Sequence, residues 1–71
     1  TDSYRWYLKG KAKVLWKLER YDEALECHRC ISKSEIGQKD RWNWESIGCI
    51  FHNKSQYDEA LDCYHKALAI N

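Results

Sequence analysis

An eight-residue segment occurs twice in this chain, and this internal repeat constrains the fold more than any other feature. Residues 21–28 read YDEALECH and residues 57–64 read YDEALDCY, so five identical residues are followed by an acidic residue and a cysteine. The two copies are offset by 36 residues, from Tyr21 to Tyr57. Such a period is the signature of architectures that stack one structural unit on the next. The 71 residues are therefore predicted to form one small domain, residues 1–71, made of two copies of one unit.

Each copy has the apolar spacing of two helices. The second copy begins with apolar or small residues at i, i+3, i+4 and i+7, which share one helix face: Trp44, Ile47, Gly48 and Phe51. The chain has no proline and only three glycines, which also favours helix over turn-rich β structure. We predict helices over residues 3–17, 21–34, 41–53 and 57–69.

Three residues mark the predicted ends of these helices. Asp40 precedes the third helix as an N-cap, and Ser55 stands three residues before an acid, as in a capping box of the fourth. Gly37 is the expected turn residue of the segment 34–39, which separates the two copies.

The composition excludes several classes of protein. Twelve Lys and Arg against eleven Asp and Glu give a net charge of +1, which argues against a dedicated nucleic-acid binder or a basic membrane anchor. The longest apolar run, residues 67–70, has four residues, whereas a membrane-spanning helix needs about 20. The four cysteines lie within helical patterns, so we expect reduced thiols and a cytoplasmic, intracellular protein.

The second copy resembles a tetratricopeptide repeat (TPR). The resemblance rests on the four residues from Trp44 to Phe51 named above, followed by Tyr57, Ala60, Leu61, Tyr64 and Ala67. It implies an all-α fold in which two antiparallel helical hairpins stack as a right-handed solenoid fragment with a concave groove. Repeat 1 would cover residues 3–36 and repeat 2 residues 41–71. Because such repeats usually need about three copies, we expect a segment of a longer array or a self-associating chain.

The first copy fits this pattern in either of two registers. In the gap-free register, which aligns the two copies at the constant offset of 36 residues, the small and apolar positions of the first helix are filled by Leu8, Ala12 and Leu15. In this register Lys11 occupies a normally apolar position. The alternative begins the motif at Trp6 and Gly10, but it would direct two lysines inward. We therefore prefer the gap-free register.

The resemblance further implies that the first helix of each hairpin lines the groove. In the gap-free register the groove residues are Trp6, Lys9, Lys13, Trp16, Lys17, Trp42, Glu45, Cys49, His52 and Asn53. Helical geometry independently places each set within about 100° of arc, opposite the apolar stripe of its helix. Three of the lysines form a row at i, i+4 and i+8, flanked by indoles.

Two functions are compatible with these surfaces. The lysine row and indoles fit an acidic or carboxyl-terminal peptide, so we predict a protein–protein interaction module that binds a protein or peptide ligand. A solvated helix face is the competing interpretation of the row. The alternative function is a structural scaffold or self-association module, which would use the exposed apolar side of helix 57–69. No nucleic acid or membrane partner is expected.

The segment Cys27-His28-Arg29-Cys30 has the appearance of a metal or redox site. A haem-attachment motif requires histidine after the second cysteine, where this chain has Ile31. On a helix, His28 also points into the apolar stripe, away from the two cysteines. We therefore expect a packing role for His28, and no metal, cofactor or catalytic residue.

Overall fold

The computed structural model describes residues 2–70 of the chain. They form helices joined by short links, and the helices are α1 (Asp2–Lys17), α2 (Tyr21–Ser32), α3 (Glu35–Gln38), α4 (Arg41–Asn53) and α5 (Tyr57–Ala69). Helix α1 packs against α2 and α4 packs against α5, while α2 and α4 join the two hairpins. The residues that the structure describes contain no β-strand. The predicted all-α fold of two stacked helical hairpins is confirmed.

The two hairpin turns share one backbone geometry. Glu19 and Ser55, which occupy equivalent positions in the two copies, have left-handed φ angles of 62° and 64°. The amide after each of them donates a hydrogen bond to the carbonyl five residues earlier, at 2.9 Å in the first turn and 2.8 Å in the second. This is a Schellman motif, which closes the end of a helix. The predicted Ser55 cap is therefore wrong: Ser55 lies in the turn that closes α4, and Gln56, the residue before α5, makes no side-chain capping hydrogen bond.

The link between the hairpins differs from the prediction. Helix α2 ends two residues earlier than expected, and the segment predicted as a turn contains the helical turn α3. Ser34 caps α3, because its hydroxyl accepts a hydrogen bond from the Gly37 amide at 3.0 Å. Gly37 has no positive φ angle. Its backbone instead lies so close to α2 that a Cβ atom would stand 1.8 Å from the Ile31 carbonyl oxygen. Glycine is needed here for close approach.

Helix α4 begins as the sequence predicts. The Asp40 carboxylate accepts a hydrogen bond from the Trp42 amide at 3.0 Å, and Asp40 has the extended backbone of an N-cap residue. This cap fixes where α4 leaves the link, and thereby which of its side chains face α1 and α2.

Burial in α1 decides between the two registers. The gap-free register is confirmed, because its three key residues are almost fully buried: Leu8, Ala12 and Leu15 are 5%, 1% and 7% exposed. Trp6 is exposed, and a Cβ atom on Gly10 would meet open space. Lys11 lies outside the core, with its ammonium 5.9 Å from the centre of the Tyr7 ring. The α1 stripe packs on an α2 stripe formed by Ala24, Leu25, Cys27 and Ile31.

None of the helices in the described part of the chain combines the length and apolarity that crossing a lipid bilayer requires.

Candidate functional site

A concave pocket of about 340 Å³ lies between α1 and α4. Its walls are mainly apolar and aromatic, its base includes a residue of α2, and its lining residues are Ala12, Lys13, Trp16, His28, Trp42, Glu45, Ser46, Cys49 and Ile50. Apolar walls with a few convergent polar groups are typical of ligand-binding sites. The pocket is thus a candidate ligand site on the first helices of the two hairpins.

The structure brings five of the ten predicted groove residues together in this pocket: Lys13, Trp16, Trp42, Glu45 and Cys49. The remaining five lie outside it. Lys17 is exposed at the end of α1, and His52 and Asn53 are exposed at the end of α4. The His52 ring meets the edge of Tyr57, with 5.4 Å between ring centres.

Lys9 bridges the two hairpins beside the pocket. Its ammonium lies 2.6 Å from the Asp40 carboxylate, and both side chains are about four-fifths buried, with 20% and 19% of their surface exposed. The same ammonium lies 5.2 Å from the centre of the Trp6 ring and 5.1 Å from that of Trp42, which is cation–π distance. The Lys9 ammonium therefore contacts groups of the protein itself. Of the predicted lysine row, Lys13 and Lys17 are the residues available to bind a ligand.

Two further polar groups of the pocket are also engaged. The Glu45 carboxylate accepts a hydrogen bond from Arg41 at 3.0 Å, which balances its charge. The Tyr64 hydroxyl donates to Cys49 Sγ at 3.5 Å. This hydrogen bond and, second, burial raise the pKa of Tyr64 to about 12. Tyr64 thus remains a neutral donor to the thiol at physiological pH.

A buried polar chain connects the hairpins beneath the pocket. His28 Nδ1 donates to Asn43 Oδ1 at 2.8 Å, and Asn43 Nδ2 donates to Ser32 Oγ at 2.6 Å. His28 and Asn43 are 2% and 0% exposed. The His28 ring also packs against Trp42, with 5.3 Å between ring centres. These hydrogen bonds fix the position of α4 on α2, and hence the shape of the pocket above them.

Burial lowers the pKa of His28 below its ordinary value of 6.5, although its hydrogen bond to Asn43 opposes the shift. The unfolded chain therefore binds a proton more readily than the folded one. We expect the free energy of unfolding to fall as pH falls below about 6.5 and to be fully restored above it. Urea unfolding at pH 7.5 and at pH 5.5 measures this difference.

His28→Gln is expected to reduce this pH dependence, whereas His65→Gln, which alters an exposed histidine of α5, should leave it unchanged. The other described groups with shifted pKa values do not contribute to the difference between pH 5.5 and pH 7.5. The pKa of Asp22 is lowered from 3.8, and the pKa values of Cys27, Cys63 and Tyr64 are raised from 9 or more. An equal pH dependence in His28→Gln and the parent chain would contradict the assignment to His28.

The segment from Cys27 to Cys30 does not form a convergent site. The prediction that both cysteines lie away from the apolar stripe is wrong, because Cys27 is buried in the core cluster and Cys30 packs against it. Burial raises the pKa of the Cys27 thiol. His28 is directed to α4 by its hydrogen bond to Asn43. Across the described residues, no three His, Cys, Asp or Glu side chains are grouped so as to hold a metal ion.

Sequence reasoning missed two residues that shape the site. His28 was expected only to pack in the hairpin, yet it lines the pocket, and Asn43 was not singled out. A second stripe on α4, which places Asn43, Ile47 and Ile50 at i, i+4 and i+7, is the signal that marks the face toward α2.

The sequence of this chain is similar to that of a known repeat family and of one curated protein. The sequence profile of the tetratricopeptide repeat matches residues 44–71, which include most of α4 and all of α5. The chain is also 28% identical over 61 residues to a peroxisomal targeting signal receptor of Kluyveromyces lactis. The match covers 86% of this chain and 10% of that receptor. No solved structure matches the chain.

Proposed function

We propose that this chain, whose residues 44–71 match the tetratricopeptide repeat, is a protein-interaction module of that family and binds a peptide or partner segment in its concave groove. The observation that carries the proposal is the pocket between α1 and α4, where two indoles and Lys13 border one apolar cavity. The similarity to a protein named as a targeting-signal receptor supports a recognition function.

We propose that the ligand is acidic. Lys9 is neutralised by Asp40, and Glu45 is balanced by Arg41. Lys13 at the pocket and Lys17 one turn further along α1 then give this side of the groove a positive charge. Carboxylates of a bound peptide would pair with these ammonium groups, while its apolar side chains contact the indoles.

Charge reversal at the pocket tests this proposal. Lys13→Glu is expected to weaken binding of an acidic peptide, such as an acetylated and amidated Glu-Leu-Glu-Tyr-Glu-Glu, by about tenfold, because one attraction becomes a repulsion. Tryptophan emission follows the titration, since Trp16 and Trp42 line the pocket. High salt should weaken binding by the parent chain.

Lys11→Glu is the matched control. It makes the same change of charge on the same helix, but Lys11 lies by Tyr7, outside the pocket. We expect it to weaken binding much less than Lys13→Glu does. Equal losses in the two variants would indicate a general effect of net charge, and the groove proposal would then be wrong.

The exposed side of α5 favours a second candidate function. Leu61 and Leu68 are 54% and 69% exposed, whereas Leu25, the residue of the first copy equivalent to Leu61, is 6% exposed in the core cluster between the hairpins. An equivalent surface is thus covered in one copy and open in the other. We propose that a further repeat of a longer array, or a second copy of the chain, covers it, which gives a scaffold or self-association role.

Sedimentation measures the self-association. If a second copy covers α5, the average mass should rise with concentration for the parent chain and stay monomeric for Leu68→Glu. Ile36→Glu, which alters another exposed apolar residue, should behave like the parent. A monomeric parent chain at all concentrations would contradict self-association.

We also propose a cytoplasmic location. All four cysteines carry free thiols, and thiols persist in reducing compartments. The proposal would be overturned by localisation of the tagged protein to an oxidising compartment.

A further inference from the structure

His28 has one ring nitrogen in use and one available. Nδ1 carries the proton that it donates to Asn43 Oδ1, so Nε2 of the neutral ring is a hydrogen-bond acceptor. Within the described part of the chain, Nε2 takes part in no hydrogen bond. Every fully buried side-chain nitrogen or oxygen there has a hydrogen-bond partner, so Nε2 must keep some contact with solvent. The pocket between α1 and α4 is the cavity that His28 lines.

The remainder of the pocket suits a flat apolar group. Trp16 and Trp42 border it on the two helices, and Ala12 and Ile50 add aliphatic surface. Its volume of about 340 Å³ is near the lower end of the range for ligand sites, so it accommodates one large side chain rather than a whole cofactor. Aromatic rings pack favourably against indoles in offset or edge-on arrangements.

We propose, on the basis of the groove function above, that the pocket is a tyrosine-specific subsite in which the ligand's phenol hydroxyl donates to His28 Nε2. Tyrosine is the residue that combines an aromatic body with a hydroxyl donor at its tip. Lys13 at the same pocket then pairs with a carboxylate neighbouring the tyrosine in the peptide. The recognised segment is thus a tyrosine flanked by acidic residues.

The anchor side chain of the peptide tests the subsite on the unmodified protein. Three peptides of the form fluorescein-Gly-Glu-X-Glu-Glu-Gly-amide carry tyrosine, phenylalanine or O-methyltyrosine at X, and fluorescence anisotropy of the N-terminal dye measures their affinities. We expect the tyrosine peptide to bind about three- to tenfold more tightly than the other two, because only its side chain has a donor.

His28→Phe then identifies the acceptor. This variant keeps an aromatic ring and removes Nε2, so the preference for tyrosine should disappear. Because it also leaves Asn43 unpaired, His28→Leu combined with Asn43→Leu serves as a second variant with an apolar interface. Circular dichroism verifies that each variant is folded. A preference for tyrosine that persists in a folded variant would overturn the proposal.

The remaining outcomes separate the subsite from the groove. Equal affinities of the parent chain for all three peptides would overturn the tyrosine subsite and leave acidic peptide binding in place. Failure of all three to bind would overturn both.

Discussion

Gly37→Ala is expected to lower the free energy of unfolding by about 3 kcal/mol. The added Cβ would stand 1.8 Å from the carbonyl oxygen and 2.6 Å from the carbonyl carbon of Ile31. These are backbone atoms, so no rotation of a side chain can relieve the overlap, and α3 must move away from α2. Urea unfolding followed by circular dichroism measures the loss.

Gly10→Ala is the matched control for this prediction. A Cβ atom on Gly10 meets nothing within 4 Å, and Gly10 lies inside α1. Alanine there should stabilise the chain by about 0.5–1 kcal/mol through its higher helix propensity. Unchanged stability in Gly37→Ala would mean that α3 does not pack against Ile31 in the way described.

Asn43→Ala is expected to destabilise the chain by a similar amount, about 3 kcal/mol. The substitution removes the acceptor for His28 Nδ1 and the donor to Ser32 Oγ, and it leaves a void at a fully buried position. An unpaired buried polar group and a cavity each cost of order 1–3 kcal/mol. Urea unfolding again gives the difference.

Asn53→Ala is the matched control, because this exposed residue ends the same helix. Its effect should stay within about 0.5 kcal/mol. Replacing both His28 and Asn43 by leucine should cost less than the sum of the two single leucine replacements, since no buried donor then lacks a partner. Strict additivity would indicate that the hydrogen bond between them does not stabilise the interface.

The helices were predictable because their causes are local. The 3.6-residue periodicity located α4 and α5 at the observed bounds, and Asp40 marked the start of α4 through a hydrogen bond two residues away. The internal repeat implies the same pair of helices in the first copy. Leu8, Ala12 and Leu15 are buried there, as the repeat predicts.

The errors came from features that depend on the packing of distant segments. The local sequence predicts Gly37 as a turn residue, but its role is the close approach of its backbone to Ile31, which no local pattern reveals. The hydroxyl of Ser55 predicts a cap of α5, whereas its left-handed backbone forms the turn that closes α4. Sequence spacing indicates local hydrogen bonds and cannot show which backbone atoms come close after packing.

The candidate site was predictable only in part. Spacing placed Lys9, Lys13 and Lys17 in one row, yet Lys9 pairs with Asp40, the N-cap of α4, 31 positions along the chain. The contribution of His28 to the pocket likewise depends on how α4 rests on α2. Both are consequences of tertiary contacts between the copies, which periodicity within one helix does not determine.

Mapping a bound peptide by nuclear magnetic resonance tests the central claim most directly. An acidic tyrosine peptide added to ¹⁵N-labelled protein should shift the amide signals of Lys13 and Cys49 and the indole signals of Trp16 and Trp42, while Leu61 and Leu68 of α5 stay unchanged. Shifts confined to α5, or no shifts at saturating peptide, would contradict a binding groove between α1 and α4.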